Sequence, residues 1–145
     1  MANYDIIIKN GMIVEGTGLP RFRGDIGIKD GKIAKMGRIK SDDADQVIDG
    51  EGLIVAPGFV DLHTHYDAQI HWDPYCTISG WHGVTSVAIG NCGFGFAPAK
   101  KEMRERLLQM MTRTEQIPYD SMVEGMGLDW DWETLPEWMD HLDAV

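Results

Sequence analysis

The sequence predicts an α/β chain in which a small antiparallel β-sheet is followed by β/α units. Three observations predict it. Short apolar strands broken by Asn-Gly and Asp-Gly pairs fill the first 56 residues. Beyond Pro57 the apolar runs lose their alternation and become β-branched, as strands buried on two faces do. A glycine-rich loop and then a charged segment with helical period follow them.

In order along the chain, "YDIIIKNGMIVEG" predicts a strand, a hairpin turn at Asn10-Gly11 and a return strand over 12–15. "GDIGIKDGKIAKMG" repeats the pattern, with Ile26 and Ile28 alternating, Asp30-Gly31 turning and Ile33 opening the return. "VIDGEGLIVAPG" adds two short strands around residues 50–52. These elements make residues 1–56 one strand-rich region and 57–145 a second, α/β region.

In the second region "GFVDLHTH" and "GVTSVAIGN" predict two neighbouring strands of a parallel sheet. "KKEMRERLLQMMTRTEQ" predicts an amphipathic helix with Met103, Leu107, Met110 and Met111 on its apolar face. "TLPEWMDHLDAV" predicts a last helix, opened by a Thr134/Glu137 capping box and faced by Leu135, Trp138, Met139 and Leu142. The stretch between, "IPYDSMVEGMGLDWDWE", reads as a loop whose aromatic residues pack locally.

Composition narrows the function classes. Apolar content of 43% and charged content of 25% are those of a folded globular protein. The net charge of -10 excludes an electrostatic nucleic-acid surface, which needs clustered Lys and Arg. Residues 1–101 carry 10 basic and 12 acidic side chains, whereas 102–145 carry 3 and 11, so the acidic excess is a solvated helical face. No apolar run reaches the roughly 18 residues of a membrane span or forms a signal-peptide core. The expectation is a soluble, cytoplasmic protein with no membrane or nucleic-acid partner, in which Cys76 and Cys92 are free thiols or ligands.

The chemistry concentrates at "PGFVDLHTHYD". In a strand, residues i and i+2 share a face, so His63 and His65 project together and Thr64 points away. Two imidazoles so placed can converge on one cation with bonds of about 2.0 to 2.1 Å. Asp61 shares their parity; it either accepts from an imidazole and fixes its tautomer, or is a buried structural carboxylate. The tripeptide alone also fits two half-exposed histidines at a strand end. Its position after an apolar strand favours a site, because parallel α/β folds place their sites at the carboxyl ends of strands.

"APGFVDLHTHYD" resembles the opening barrel strand of the amidohydrolase superfamily, whose members bind one or two divalent metals through such a His-x-His. "WHGVTSVAIGNCGFGFAP" narrows the resemblance to the D-aminoacylase, or N-acyl-D-amino-acid deacylase, group. The resemblance implies that the strand-rich region is part of a β-sandwich and that 57–145 opens an incomplete (β/α)8, or TIM, barrel. It implies a Zn2+ centre of one or two ions held by His63, His65 and Cys92, since a cysteine after the second strand is a metal ligand in that group. A thiolate suits zinc, at about 2.3 Å. Gly90, Gly93 and Gly95 around it remove side-chain bulk. The implied substrate is a small N-acyl amino acid, D-configured, whose amide is hydrolysed.

The general base that the family takes from a later aspartate is not expected here. A full barrel needs about 250 residues, and only 89 follow Ala56. The chain is therefore expected to be an N-terminal portion, catalytically silent alone and prone to self-association through unpaired strands. Cys76 is expected to be structural, and His71, His82 and His141 are not expected to be ligands. Two other readings stand beside this one. A cyclic amidase of the dihydroorotase or hydantoinase type shares the strand-rich start and His-x-His but is disfavoured by Cys92; the other is a non-catalytic, partner-binding fragment.

Overall fold

The computed structural model describes residues 3–144, and the chain divides after Pro57 into two compact units. In the first, β1 (Tyr4–Ile13) is the central strand of a five-stranded sheet. On one edge it pairs with β2 (Phe22–Lys29), which pairs in turn with β3 (Lys32–Gly37), all antiparallel. Asp30 and Gly31 join β2 to β3 with φ of 51° and 70°, the left-handed pair that a two-residue hairpin requires. The other edge of β1 takes β4 (Ala44–Asp49) and then β5 (Ile54–Val55), both parallel to it. The chain crosses from β3 back to that free edge, so both arrive in the direction of β1 and the sheet is mixed.

Asn10-Gly11 is not the hairpin turn that the dipeptide suggested. It is a bulge inside β1, with Asn10 at φ 61° and the register against β2 slipping between Ile8 and Gly11. Asp25 holds the bulge in place. Its buried carboxylate accepts the Asn10 amide at 2.9 Å, the Ile39 amide at 2.9 Å and the Lys9 ammonium at 2.8 Å. Gly11 is required because a Cβ there would lie 2.5 Å from the Val55 side chain. Ile7, Ile13, Ile26 and Ile39 form the buried apolar set of this unit.

The second unit carries a two-stranded parallel sheet of β6 (Phe59–Asp61) and β7 (Val84–Val87), joined through a short helix, α1 (Thr77–Trp81). The strands were expected to be buried on both faces, yet Phe59 and Val60 are 69% and 61% exposed. Among the described residues no layer packs over them. Three further helices follow: α2 (Arg104–Glu115), α3 (Tyr119–Met126) and α4 (Leu135–Asp143). None of the helices among the described residues is long and apolar enough to cross a membrane.

These helices surround a core of Phe96, Leu108, Met111, Met122, Trp130, Trp132 and Trp138. Helix α3 lies in the segment read as a loop. Burial of Met122, with Val123 and Met126 packed beside it, outweighs the weak propensity of Gly125. Gly125 is itself needed there, since a Cβ would sit 2.3 Å from the Trp72 ring. The buried stripe of α2 is Arg104, Leu108 and Met111, with Leu107 partly covered, while Met103 and Met110 face solvent. Arg104 takes a core position because its guanidinium donates to the Trp132 carbonyl at 2.9 Å and lies 5.4 Å over the Trp130 ring. On α4 the capping box forms as expected; Trp138 is buried and Leu142 packs on the core, but Leu135 and Met139 are exposed.

Candidate metal centre

The site grows from the carboxyl ends of β6 and β7. Their register pairs Asp61 with Val87, and the ladder persists past both strands, with Ala88 N donating to Asp61 O at 2.8 Å and Thr64 N to Ala88 O at 3.3 Å. The strands approach closely because residue 58 is glycine: a Cβ there would lie 2.1 Å from Thr85. His63 and His65 therefore stand in the loop after β6 and not in the strand itself, yet the alternation survives. Thr64 is buried and donates its hydroxyl to Ala88 O at 2.8 Å, while both histidines turn outward with rings 5.6 Å apart and 23° from parallel.

Cys92 is carried by the loop after β7. Gly90 and Gly93 take φ of 71° and 87° there, and the Gly93 amide donates to Gly90 O at 3.0 Å, closing a turn around the cysteine. Asn91 Nδ2 ties this loop to Leu62 O at 2.5 Å. The result brings three donors together: one nitrogen each of His63 and His65 and the Cys92 sulfur all lie within 4.8 Å of one another. Donors around a tetrahedral ion with bonds of 2.0 to 2.3 Å are roughly 3.5 Å apart. The set thus needs about 1 Å of closure, within reach of an exposed pair of rings, and its N,N,S chemistry suits a borderline-soft divalent ion.

Asp61 does not meet an imidazole; its Oδ1 accepts the His63 backbone amide at 3.1 Å. The histidines line a cavity of about 370 Å³ with Tyr66, Ser79 and Glu115. Tyr66 and Ser79 share a hydroxyl hydrogen bond of 2.6 Å in its wall.

Two carboxylates that were not singled out from the sequence also converge here. Asp67 is fully buried, and neither of its oxygens has a hydrogen-bond partner among the described residues. Burial pushes its carboxyl above the usual range, with the nearby amides of Gly90 and Asp67 itself and the positive side of His65 opposing. The glycine loop folds over it: a Cβ at Gly95 would lie 3.4 Å from Asp67 Oδ1, and one at Gly90 3.7 Å. Glu115, the last residue of α2, has a side chain 1% exposed, with Oε1 3.6 Å from His65 Nδ1. Burial raises its carboxyl to about 7, with His65 opposing and Asp67 reinforcing. The signals were present. Asp67 continues the alternation of Asp61, His63 and His65, and Glu115 extends the stripe of Arg104, Leu108 and Met111.

The remaining candidates lie elsewhere. His71 stacks on Trp132 at 5.1 Å, and its Nε2 accepts from Trp138 Nε1 at 3.3 Å, so it is a neutral acceptor whose pKa falls to about 4 through burial and then the His141 charge. His141 packs against Trp132 at 4.6 Å and pairs with Asp131 at 3.0 Å. His82 is exposed at the end of α1, and Cys76 is a buried free thiol.

The model of the amidohydrolase family matches residues 46–145. An N-acyl-D-glutamate deacylase of Alcaligenes xylosoxydans xylosoxydans is 42% identical over 95 residues, 66% of this chain and 20% of that protein. The crystal structure of N-acyl-D-glutamate deacylase from Bordetella bronchiseptica, complexed with zinc and a phosphonate mimic of the tetrahedral intermediate, superposes with a TM-score of 0.75 and 32% identity, covering 98% of this chain and 27% of that one. A D-aminoacylase structure with a binuclear metal centre gives 0.73 and 29%, covering 96% and 27%. The chain spans between 20% and 27% of the length of these relatives.

Proposed function

The chain belongs to the amidohydrolase family, and from that premise we propose that it supplies His63, His65 and Cys92 to the metal centre of a deacylase acting on N-acyl-D-amino acids. The observation that carries this reading is the sulfur of Cys92, brought by a separate strand and loop to within 4.8 Å of both imidazole donors. We assign residues 1–56 to the composite β-sheet region of such an enzyme and 57–145 to the opening β/α units of its barrel.

In this reading His63 and His65 each present a neutral imidazole nitrogen, and Cys92 loses its thiol proton on binding. When bound, a zinc ion supplies Lewis-acid polarisation of an acyl carbonyl and acidifies water near neutral pH. The chain's own residues hold and orient. The Thr64 hydroxyl on Ala88 O and the Asp61 carboxylate on the His63 amide fix the loop bearing the imidazoles, and the Gly90–Gly93 turn fixes the sulfur.

The test uses Co2+ as a spectroscopic substitute for zinc. The chain should show a thiolate-to-cobalt absorption band that Cys92→Ser abolishes and His63→Ala weakens, whereas the zinc-loaded 145-residue chain should release no amine from N-acetyl-D-amino acids. A band of full intensity in the Cys92→Ser variant would remove the sulfur from the site and with it the deacylase reading.

A further inference from the structure

We propose that Glu115 is a positioning residue for His65: its carboxylate holds the proton on Nδ1, which leaves Nε2 as the nitrogen offered to the metal. The inference rests on the metal-centre reading above but stands on separate contacts. Glu115 Oε1 is 3.6 Å from His65 Nδ1, the Glu115 side chain is 1% exposed, and Oε1 has no hydrogen-bond partner among the described residues.

Three features make this contact a positioning device. His65 is the partner with room to turn, since its side chain is 41% exposed. Glu115 is the fixed one, because α2 is anchored by Leu108 and Met111, both fully buried. Among the described residues Glu115 is the carboxylate that comes within 4.0 Å of a His65 ring nitrogen, while Asp61 is engaged with the His63 backbone amide. The separation exceeds a normal N–H···O bond of 2.7 to 3.2 Å by about 0.5 Å. A modest rotation of the exposed ring closes it. A histidine that binds a metal through one nitrogen characteristically donates its other N–H to a carboxylate, and loss of that partner costs about 10- to 100-fold in metal affinity.

The experiment reads the tautomer directly in the metal-free chain, labelled with 15N at histidine, through long-range 1H–15N correlation. Wild-type His65 should carry its proton on Nδ1, against the Nε2–H form that free imidazole side chains prefer. Glu115→Met should revert His65 to Nε2–H, and Glu115→Gln should give a mixture, with His71, His82 and His141 unchanged. Co2+ affinity should fall about 10- to 100-fold in Glu115→Met and less in Glu115→Gln.

Wild-type His65 bearing Nε2–H would overturn the proposal without any variant. So would a folded Glu115→Gln chain with wild-type tautomer and wild-type affinity, which decides the matter should Glu115→Met fail to fold. Failure of the underlying metal reading looks different: Cys92→Ser would then bind Co2+ as wild type does, while the tautomer measurement still judges Glu115 on its own.

Discussion

Within the second unit, the tryptophan core and the strand-end site treat buried polar groups differently: among the described residues the core leaves one buried side-chain atom, Arg104 Nε, without a partner, and the site leaves three. In the core every indole N–H is answered: Trp132 donates to Phe96 O at 2.9 Å, Trp130 to Gly127 O at 3.0 Å and Trp138 to His71 at 3.3 Å. At the strand-end site both oxygens of Asp67 and one of Glu115 are buried and unanswered among the described residues. An unpaired buried polar group costs about 1–3 kcal/mol. A region that tolerates three such atoms is built for something other than its own stability, and the difference separates scaffold from site more sharply than exposure does.

The comparison can be broken most decisively at Trp132. Trp132→Ala removes a ring 2% exposed together with its hydrogen bond, and should cost about 4 kcal/mol in urea unfolding followed by circular dichroism. A loss below about 1 kcal/mol would mean that the core is not what holds this unit.

Asp67→Asn sharpens the contrast from the other side. It keeps the shape but removes a charge that has no partner, so the metal-free chain at pH 8 should gain about 1 kcal/mol, measured the same way. Destabilisation instead would show that the carboxylate is satisfied in solution.

The smallest effect is in the pH profile. His71 is held neutral, with its folded pKa lowered to about 4 from the ordinary 6.5, so the unfolded chain binds the extra proton first. Its contribution is complete above 6.5 and is lost as pH falls towards 4. Glu115, raised to about 7 from 4.5, acts in the opposite sense: its neutral form favours folding, and that advantage is lost as pH rises through 7. The stability difference between wild type and His71→Gln isolates the histidine. That difference should shrink progressively between pH 6.5 and 4.

The residues show why some of this was readable in sequence and some was not. Asp30-Gly31 turns the chain even though the Asp30 amide is held from a distance, by Asp5 Oδ2 at 2.7 Å. Asn10-Gly11 has the same local chemistry and its amide is likewise held, by Asp25, but β4 and β5 pair with β1 on either side of it and carry the strand through as a bulge. Local signals lose wherever a long-range partner outbids them. The His-x-His alternation survived the end of β6 because Thr64 is tied to Ala88, so the two imidazoles still emerge on one side. Arg104 and Glu115 escaped notice since both are charged residues on an apolar stripe, where hydrophobic periodicity alone finds no member. Their reasons for burial lie in partners distant in sequence: the Trp132 carbonyl and the His65 ring.

Position 58 carries a consequence for anyone modifying the molecule. The 2.1 Å that separates a hypothetical methyl there from Thr85 is far inside contact distance, so even alanine must wedge the first strand away from the second. The rings sit in the loop that leaves one of those strands and the sulfur in the loop that leaves the other. A single methyl group, remote from any donor atom, would therefore act as a spacer that retunes the bite of the chelate.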